Sequence, residues 1–237
     1  MSLPKIDVPI YDLTLPSNGK KVSFRPFLVK EEKLMLMAAL SNDEEEIRKA
    51  IKQIINNCVV NSDFNVETAP VFDVEYILMN IRIKSIGDVI KNEYICNNEV
   101  DGRKCGMEFN VEIKLTDIDV VKEEVNPEIW LTDKVGVKMK WPTFSAMKKK
   151  SPKDRAFDYD LLANCIEYVF DKEQTYKLKE QSKKEIEEFF DGLNKEQFDL
   201  IVDYISKIPK FEVHKEKECP ACGFKHNIDI KDMLSFF

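Results

Sequence analysis

The sequence predicts an α+β fold in which short β-hairpins alternate with helical bundles and two cysteine knuckles are separated by a long insertion. Three observations lead there. Residues 105–114 are echoed by 222–231, with Cys, Gly, Asn, Ile and Lys at the same offsets, Val111 matched by Ile228 and Glu112 by Asp229. Several segments repeat apolar residues at three- and four-residue steps behind capping signals, the mark of amphipathic helices. Others alternate apolar and polar residues between turn-forming Pro, Gly and Asn, the mark of half-buried strands.

Taken in order, the residues 5–15 alternate loosely among Pro4, Pro9 and Pro16 and suit an extended arm or edge strand. The turn 16–20, rich in Pro, Ser, Asn and Gly, then makes 11–27 a hairpin. Glu31 to Leu40 has strong helix formers. A Ser41-x-x-Glu44 capping box is expected to open a second helix striped by Ile47, Ala50, Ile51, Ile54, Ile55 and Cys58. Pro70 is placed to start a third, which carries Phe72, Tyr76, Ile77, Met79 and Ile83 and reaches about Val89. The first knuckle hairpin occupies 92–96 and 106–115, and the acidic stretch 116–126 reads as a mobile connection.

Glu128 to Trp141 is a further hairpin, with Val135, Val137, Met139 and Trp141 on one face. From 153 to 207 the pattern is helical, including a stripe of Leu161, Leu162, Cys165, Ile166, Val169 and Phe170. Ser182-x-x-Glu185 and Asn194 supply two helix starts, and Pro209 stops the last helix. The second knuckle spans 211–219 and 223–230, ahead of an apolar end with Met233, Leu234, Phe236 and Phe237. The chain so divides into an N-terminal hairpin with helices (1–91), two halves of one ribbon-like module (92–115 and 208–237), and an inserted hairpin and helical subdomain (116–207).

Each knuckle is a cysteine-bearing turn, a glycine able to take positive φ, and an outgoing strand. Cys219-x2-Cys222 has metal-ligand spacing, whereas Cys96 and Cys105 are further apart, across a loop that Asp101-Gly102 can close. Facing each other, the knuckles bring together Cys96, Cys105, Cys219 and Cys222, the ligand set of a structural tetrahedral zinc site. The competing readings are a disulfide pair, core cysteines, or a redox CxxC, which lacks its usual βαβ setting. His214 and His226 are reserve ligands; His226 takes the place of Phe109 in the echo and reads as a strand side chain. Cys58 and Cys165 fall on apolar helical faces and read as core.

Six cysteines in 237 residues do not make a secreted disulfide framework, and no apolar run approaches a membrane span. The N-terminus lacks the apolar core of a signal peptide, so a cytoplasmic protein is expected. A net charge of −7 argues against a nucleic-acid coat, and seven glycines without a Gly-rich loop argue against phosphate cradling. Two histidines and no Ser-His-Asp order leave no catalytic constellation, so no enzyme is expected.

The run 15–38, with Asn18-Gly19, Phe24-Arg25-Pro26-Phe27 and Glu31-Glu32-Lys33, resembles the opening of the T4-like bacteriophage baseplate hub family. That family includes the baseplate hub subunit and the baseplate hub assembly catalyst. The likeness continues through 133–143; the knuckles are compatible with it, and 150–210 fits in length and helical character. The resemblance implies a non-enzymatic protein that helps assemble the tail baseplate hub, an assembly chaperone or a hub subunit. Its implied partners are hub or tape-measure proteins, and its place is the infected host's cytoplasm or the virion tail baseplate. Catalyst there denotes an assembly factor, so no catalytic residues carry over.

Candidate partner-binding residues are Phe24, Arg25, Pro26, Phe27 and Glu31, with Phe236 and Phe237 at the end of the chain. Arg25 offers a planar five-donor fork and the phenylalanines offer anchors. Equally, Phe24 and Phe27 would cover the first helix while Arg25 pairs with Glu31 or Glu32. The alternative function is a nucleic-acid-binding zinc ribbon, using Arg103, Lys104, Lys215, Lys217 and Lys225. Glu93, Glu99, Glu108, Glu216 and Glu218 interrupt that basic surface.

Overall fold

The computed structural model describes residues 6–41, 43–60, 63–118, 120–121, 123–146, 159–211 and 213–230. Strands β1 (Tyr11–Thr14) and β2 (Lys21–Phe24) form the first hairpin, closed by Gly19 at φ 70°. Helices α1 (Val29–Ser41), α2 (Glu44–Cys58) and α3 (Val71–Ile86) follow. The predicted stripe of α2 is buried at Ala50, Ile51, Ile54, Ile55 and Cys58.

Two helix boundaries differ from expectation. Ser41 does not cap α2: it ends α1, its hydroxyl donating back to the Ala38 carbonyl at 2.7 Å, while Asp43 accepts the Glu45 amide at 2.8 Å. A hydroxyl inside a last turn finds a local carbonyl first, and the carboxylate is the better acceptor at a helix N-terminus. Gly87, at φ 100°, stops α3 before Val89 and turns the chain into the next strand.

Strands β3 (Val89–Ile95), β4 (Glu99–Val100), β5 (Arg103–Lys104) and β6 (Glu108–Lys114) build the first knuckle hairpin. Its alternation is clean, with Phe109, Val111 and Ile113 buried between exposed neighbours. The stretch after it, expected to be a loose connection, is tied down. A 3₁₀ turn at Leu115–Asp117 buries Leu115 and Ile118, and β7 (Val120–Val121) pairs with β12 (Lys210–Phe211).

Beyond it, β8 (Glu128–Trp130), β9 (Gly136–Met139), β10 (Ile166–Phe170) and β11 (Thr175–Tyr176) make an antiparallel sheet in the order β11-β10-β9-β8. The stripe running to Phe170 is therefore corrected: α4 (Tyr159–Asn164) ends early and 166–170 is a strand. Short apolar runs are ambiguous by period, and β-branched and aromatic residues beside the β9 edge settle this one as strand. Helices α5 (Lys183–Asp191) and α6 (Lys195–Ser206) both carry complete capping boxes, at Ser182/Glu185 and Asn194/Gln197. Strands β13 (Val213–Glu218) and β14 (Lys225–Ile230) form the second knuckle hairpin.

Two apolar cores result. The first joins the N-terminal hairpin, α1 to α3 and both knuckle hairpins, through residues such as Phe24, Ile55, Phe72, Ile77, Val111 and Ile228. The second lies between the four-stranded sheet and α4 to α6, around Val137, Ile166, Phe190 and Ile201. Each fully buried side chain of this size contributes roughly 1.5–3 kcal/mol. Trp141 bridges the cores, edge-on to Phe72 and stacked on Tyr204 at a centroid distance of 4.7 Å. Tyr76 of α3 likewise stacks on Phe211 of β12 at 5.9 Å, which seats the second knuckle's base against the first core.

Candidate metal centre

The echo between the knuckles is an echo of backbone hydrogen bonds. Cys96 N–H donates to the Met107 carbonyl at 2.8 Å, and Cys219 N–H donates to the Phe224 carbonyl at 2.8 Å. Gly106 N–H reaches the Cys96 carbonyl at 3.0 Å, and Gly223 N–H reaches the Cys219 carbonyl at 2.9 Å. Both glycines sit in the left-handed region, at φ 67° and 71°. The longer first loop does not disturb this, because β4 and β5 fold it into a hairpin of its own. Asp101 and Gly102, at φ 50° and 75°, make its two-residue turn, and Cys105 N–H closes on the Asn98 carbonyl at 2.8 Å.

The four sulfurs of Cys96, Cys105, Cys219 and Cys222 all lie within 4.8 Å of one another. Cys96 Sγ is 3.7 Å from Cys222 Sγ, and Cys105 Sγ is 3.8 Å from Cys219 Sγ. These contacts exceed the ~2.05 Å of a disulfide. They match the ~3.8 Å edge of a tetrahedron whose centre is ~2.3 Å from each sulfur, the Zn–S bond length. Cys96 and Cys219 are buried, while Cys105 and Cys222 are half-buried. The donor set thus fits a four-coordinate zinc ion, with no ligand position left open.

The electrostatics point the same way. The Phe224 backbone N–H holds the Cys222 thiol down at about 6, whereas burial pushes the Cys96 thiol up to about 12. Four adjacent thiols cannot all ionise against one another without a cation between them. Two side chains add hydrogen bonds at the cluster's edge: Asn98 Nδ2 donates to Cys222 Sγ at 3.6 Å, and His226 Nε2 lies 3.3 Å from Cys96 Sγ. His226 stands in β14 opposite Lys217, its ring 5.4 Å from Phe109 and 4.9 Å from Phe224. His214 is exposed, paired with Asp229 along the same hairpin and outside the sulfur cluster. Asn98 was not singled out in the sequence; its place two residues after Cys96 is the only signal it carries.

The motif around Arg25 is placed quite differently. Phe24 is 1% exposed in the first core, and Glu31 is also 1% exposed, so neither presents surface to a partner. Arg25 Nη2 donates to Glu31 Oε1 at 3.1 Å, and its Nη1 donates to the Pro26 carbonyl at 2.8 Å and meets Cys58 Sγ at 3.7 Å. Glu31 also accepts from Leu28 N–H at 2.8 Å and Asn57 Nδ2 at 3.2 Å. Although burial pushes the Glu31 carboxyl up, the bonds from Arg25 and Leu28 outweigh it and hold it below the usual carboxylate range. Phe27 N–H donates to Ser85 Oγ at 2.9 Å, so the motif stitches α1, α2 and α3 together. Pro26 and Phe27 are half-buried, and Phe236 and Phe237 lie outside the described residues.

Around the knuckles the basic residues alternate with acids: Lys225 pairs with Glu218 at 3.6 Å and Lys91 with Glu112 at 2.9 Å, which breaks up any basic stripe. Among the described residues, no helix is long and apolar enough to cross a membrane. No curated protein and no solved structure matches the chain. A family model described as T4 bacteriophage base plate protein matches residues 8–237, nearly the whole length, including both knuckles and the stitched Arg25 motif. The chain therefore belongs to the T4 bacteriophage base plate protein family.

Proposed function

We propose that this protein is a tail baseplate hub assembly factor, or a hub subunit, that acts by binding other phage proteins and not by catalysis. Its partners are baseplate hub or tape-measure proteins, met in the infected host's cytoplasm. The observation that carries this reading is the family match over residues 8–237. Within it, Cys96, Cys105, Cys219 and Cys222 hold a single structural zinc. That ion ties segments separated by 114 and 126 positions, closing two thin hairpins that bury little by themselves.

Two measurements test the reading. Affinity capture of the tagged chain from infected cells, followed by mass spectrometry, is expected to recover hub or tape-measure proteins. Finding the chain in finished virions assigns it as a hub subunit, and finding it only in intermediates assigns it as a transient assembly factor. Recovery with neither class of protein overturns the role. Elemental analysis of the purified chain is expected to find zinc at one equivalent, and its absence from freshly purified protein overturns the metal assignment.

A further inference from the structure

The two knuckles repeat each other's backbone, so the places where their side chains break the echo are informative. Two such breaks touch the sulfur cluster. Asn98 stands two residues after Cys96, where the second knuckle has Ala221 two residues after Cys219. His226 stands four residues after Cys222, where the first knuckle has Phe109 four residues after Cys105. At both places a nitrogen donor replaces an apolar side chain, once in each knuckle. Both side chains are half-buried, and both reach across the module. Asn98 Nδ2 meets Cys222 Sγ at 3.6 Å, and His226 Nε2 meets Cys96 Sγ at 3.3 Å. Their two target sulfurs are themselves in contact, at 3.7 Å.

Four thiolates outnumber the charges of one divalent ion, so a loaded cluster keeps an excess of negative charge on its sulfurs. Hydrogen bonds to charged acceptors are the strong ones, and the outer partners of metal ligands hold those ligands in place. The backbone supplies part of this. Asn98 N–H bonds to Cys96, Met107 N–H to Cys105 and Phe224 N–H to Cys222, each within its own knuckle. The side chains of Asn98 and His226 add donors that cross from one knuckle to the other. A metal-bound thiolate carries no proton, so the proton shared by His226 and Cys96 sits on Nε2.

We propose that Asn98 and His226 are positioning residues of the metal site, a reciprocal pair of N–H donors by which each knuckle secures one thiolate of the other and tightens the hold on the ion. The proposal rests on the zinc reading given above.

The test uses the full-length protein loaded with cobalt(II), whose thiolate charge-transfer bands report on the sulfur ligands, and zinc affinity measured by competition with a chelator. Wild type is expected to show the spectrum of four thiolates in a tetrahedron. Asn98→Asp keeps the shape of the side chain but turns a charged oxygen on Cys222. It is expected to shift the bands and to lower zinc affinity by about tenfold or more, beyond the loss in Asn98→Ala. His226→Phe is expected to lower affinity by about tenfold, and His226→Gln, which can place an N–H near the same point, to restore most of it. Ala221 and Phe109 already occupy these places in the sister turns, so the Ala and Phe variants suit the backbone. A space-filling role would give the opposite order, with Asp equal to Asn and Phe better than Gln. That order, or bands and affinities that no variant moves, overturns the proposal and leaves the zinc assignment standing. A wild type that takes up no metal overturns both.

Discussion

The sulfur cluster and the Arg25–Glu31 pair both join parts of the chain that are distant in sequence, but they differ in what they need. Arg25 and Glu31 carry opposite charges, and Leu28 and Asn57 add donors, so that site is electrically complete from the chain alone. The four cysteines bring no opposite charge to one another, and four neighbouring thiolates repel until a cation is supplied. One stitch is self-sufficient and the other is conditional. The first therefore follows the fold, whereas the second, on the proposed zinc reading, lets the fold depend on metal supply.

The largest effect should come from breaking the conditional stitch. Zinc removal by a strong chelator, or Cys222→Ser, is expected to lower thermal stability by several kcal/mol, because the metal's binding free energy is folding free energy. Elemental analysis alongside a thermal melt checks it, and a variant that loses stability yet keeps its zinc would contradict the assignment. Chelation should leave the Arg25 stitch untouched, so amide exchange is expected to rise at the knuckles and not at the junction of α1, α2 and α3.

Arg25→Ala should come next. It leaves a buried carboxylate whose remaining counter-charge is the exposed Lys30 at 3.4 Å, and the cost of breaking such a pair, about 3–5 kcal/mol, is discounted to the lower end or below because Lys30 stays and Arg25 is 16% exposed. The pH dependence gives the sign. Glu31 has its folded pKa depressed, so the stability it contributes is present above the ordinary carboxylate range and is lost as pH falls through the folded value. The gap between wild type and Arg25→Ala, measured by denaturant titration, should be wide at neutral pH and shrink in acid. A gap that does not change with pH would mean that Arg25 acts through packing alone.

These two stitches also mark how far the sequence could be read. The cluster was legible because Cys, Gly and the alternating strand recur at fixed offsets, and the backbone bonds at Gly106 and Gly223 reproduce that echo. The role of Arg25 was not, because Arg-Pro-Phe beside a Glu-Lys helix is equally good chemistry for a partner or for a neighbouring helix. Only the position of Cys58 and Asn57, on α2, decides it. The strand at Ile166–Phe170 was hidden for a similar reason: four apolar and aromatic residues around Glu167 fit either period until β9 is known to lie alongside. The exposed apolar face of α1 had a local signal, since Leu34 to Leu40 is apolar at almost every position, more than one helix face can bury.

The smallest expected effect asks whether the two knuckles are the same object despite their different loops. A Cβ added at Gly106 or Gly223 would meet nothing within 4 Å, so Gly→Ala at either site costs only backbone strain. At φ 67° and 71° that strain is about 1–2 kcal/mol. Equal losses for Gly106→Ala and Gly223→Ala, measured by denaturant unfolding of the metal-loaded protein, are expected if the knuckle bonds alone set the turn. A clearly smaller loss at Gly106 would mean that the longer loop, folded as β4 and β5, gives way to relieve the strain. Gly136 is the contrast that keeps the experiment interpretable. Its added Cβ would come within 2.5 Å of the Phe170 ring, so a loss there reports crowding in the four-stranded sheet and not a left-handed turn.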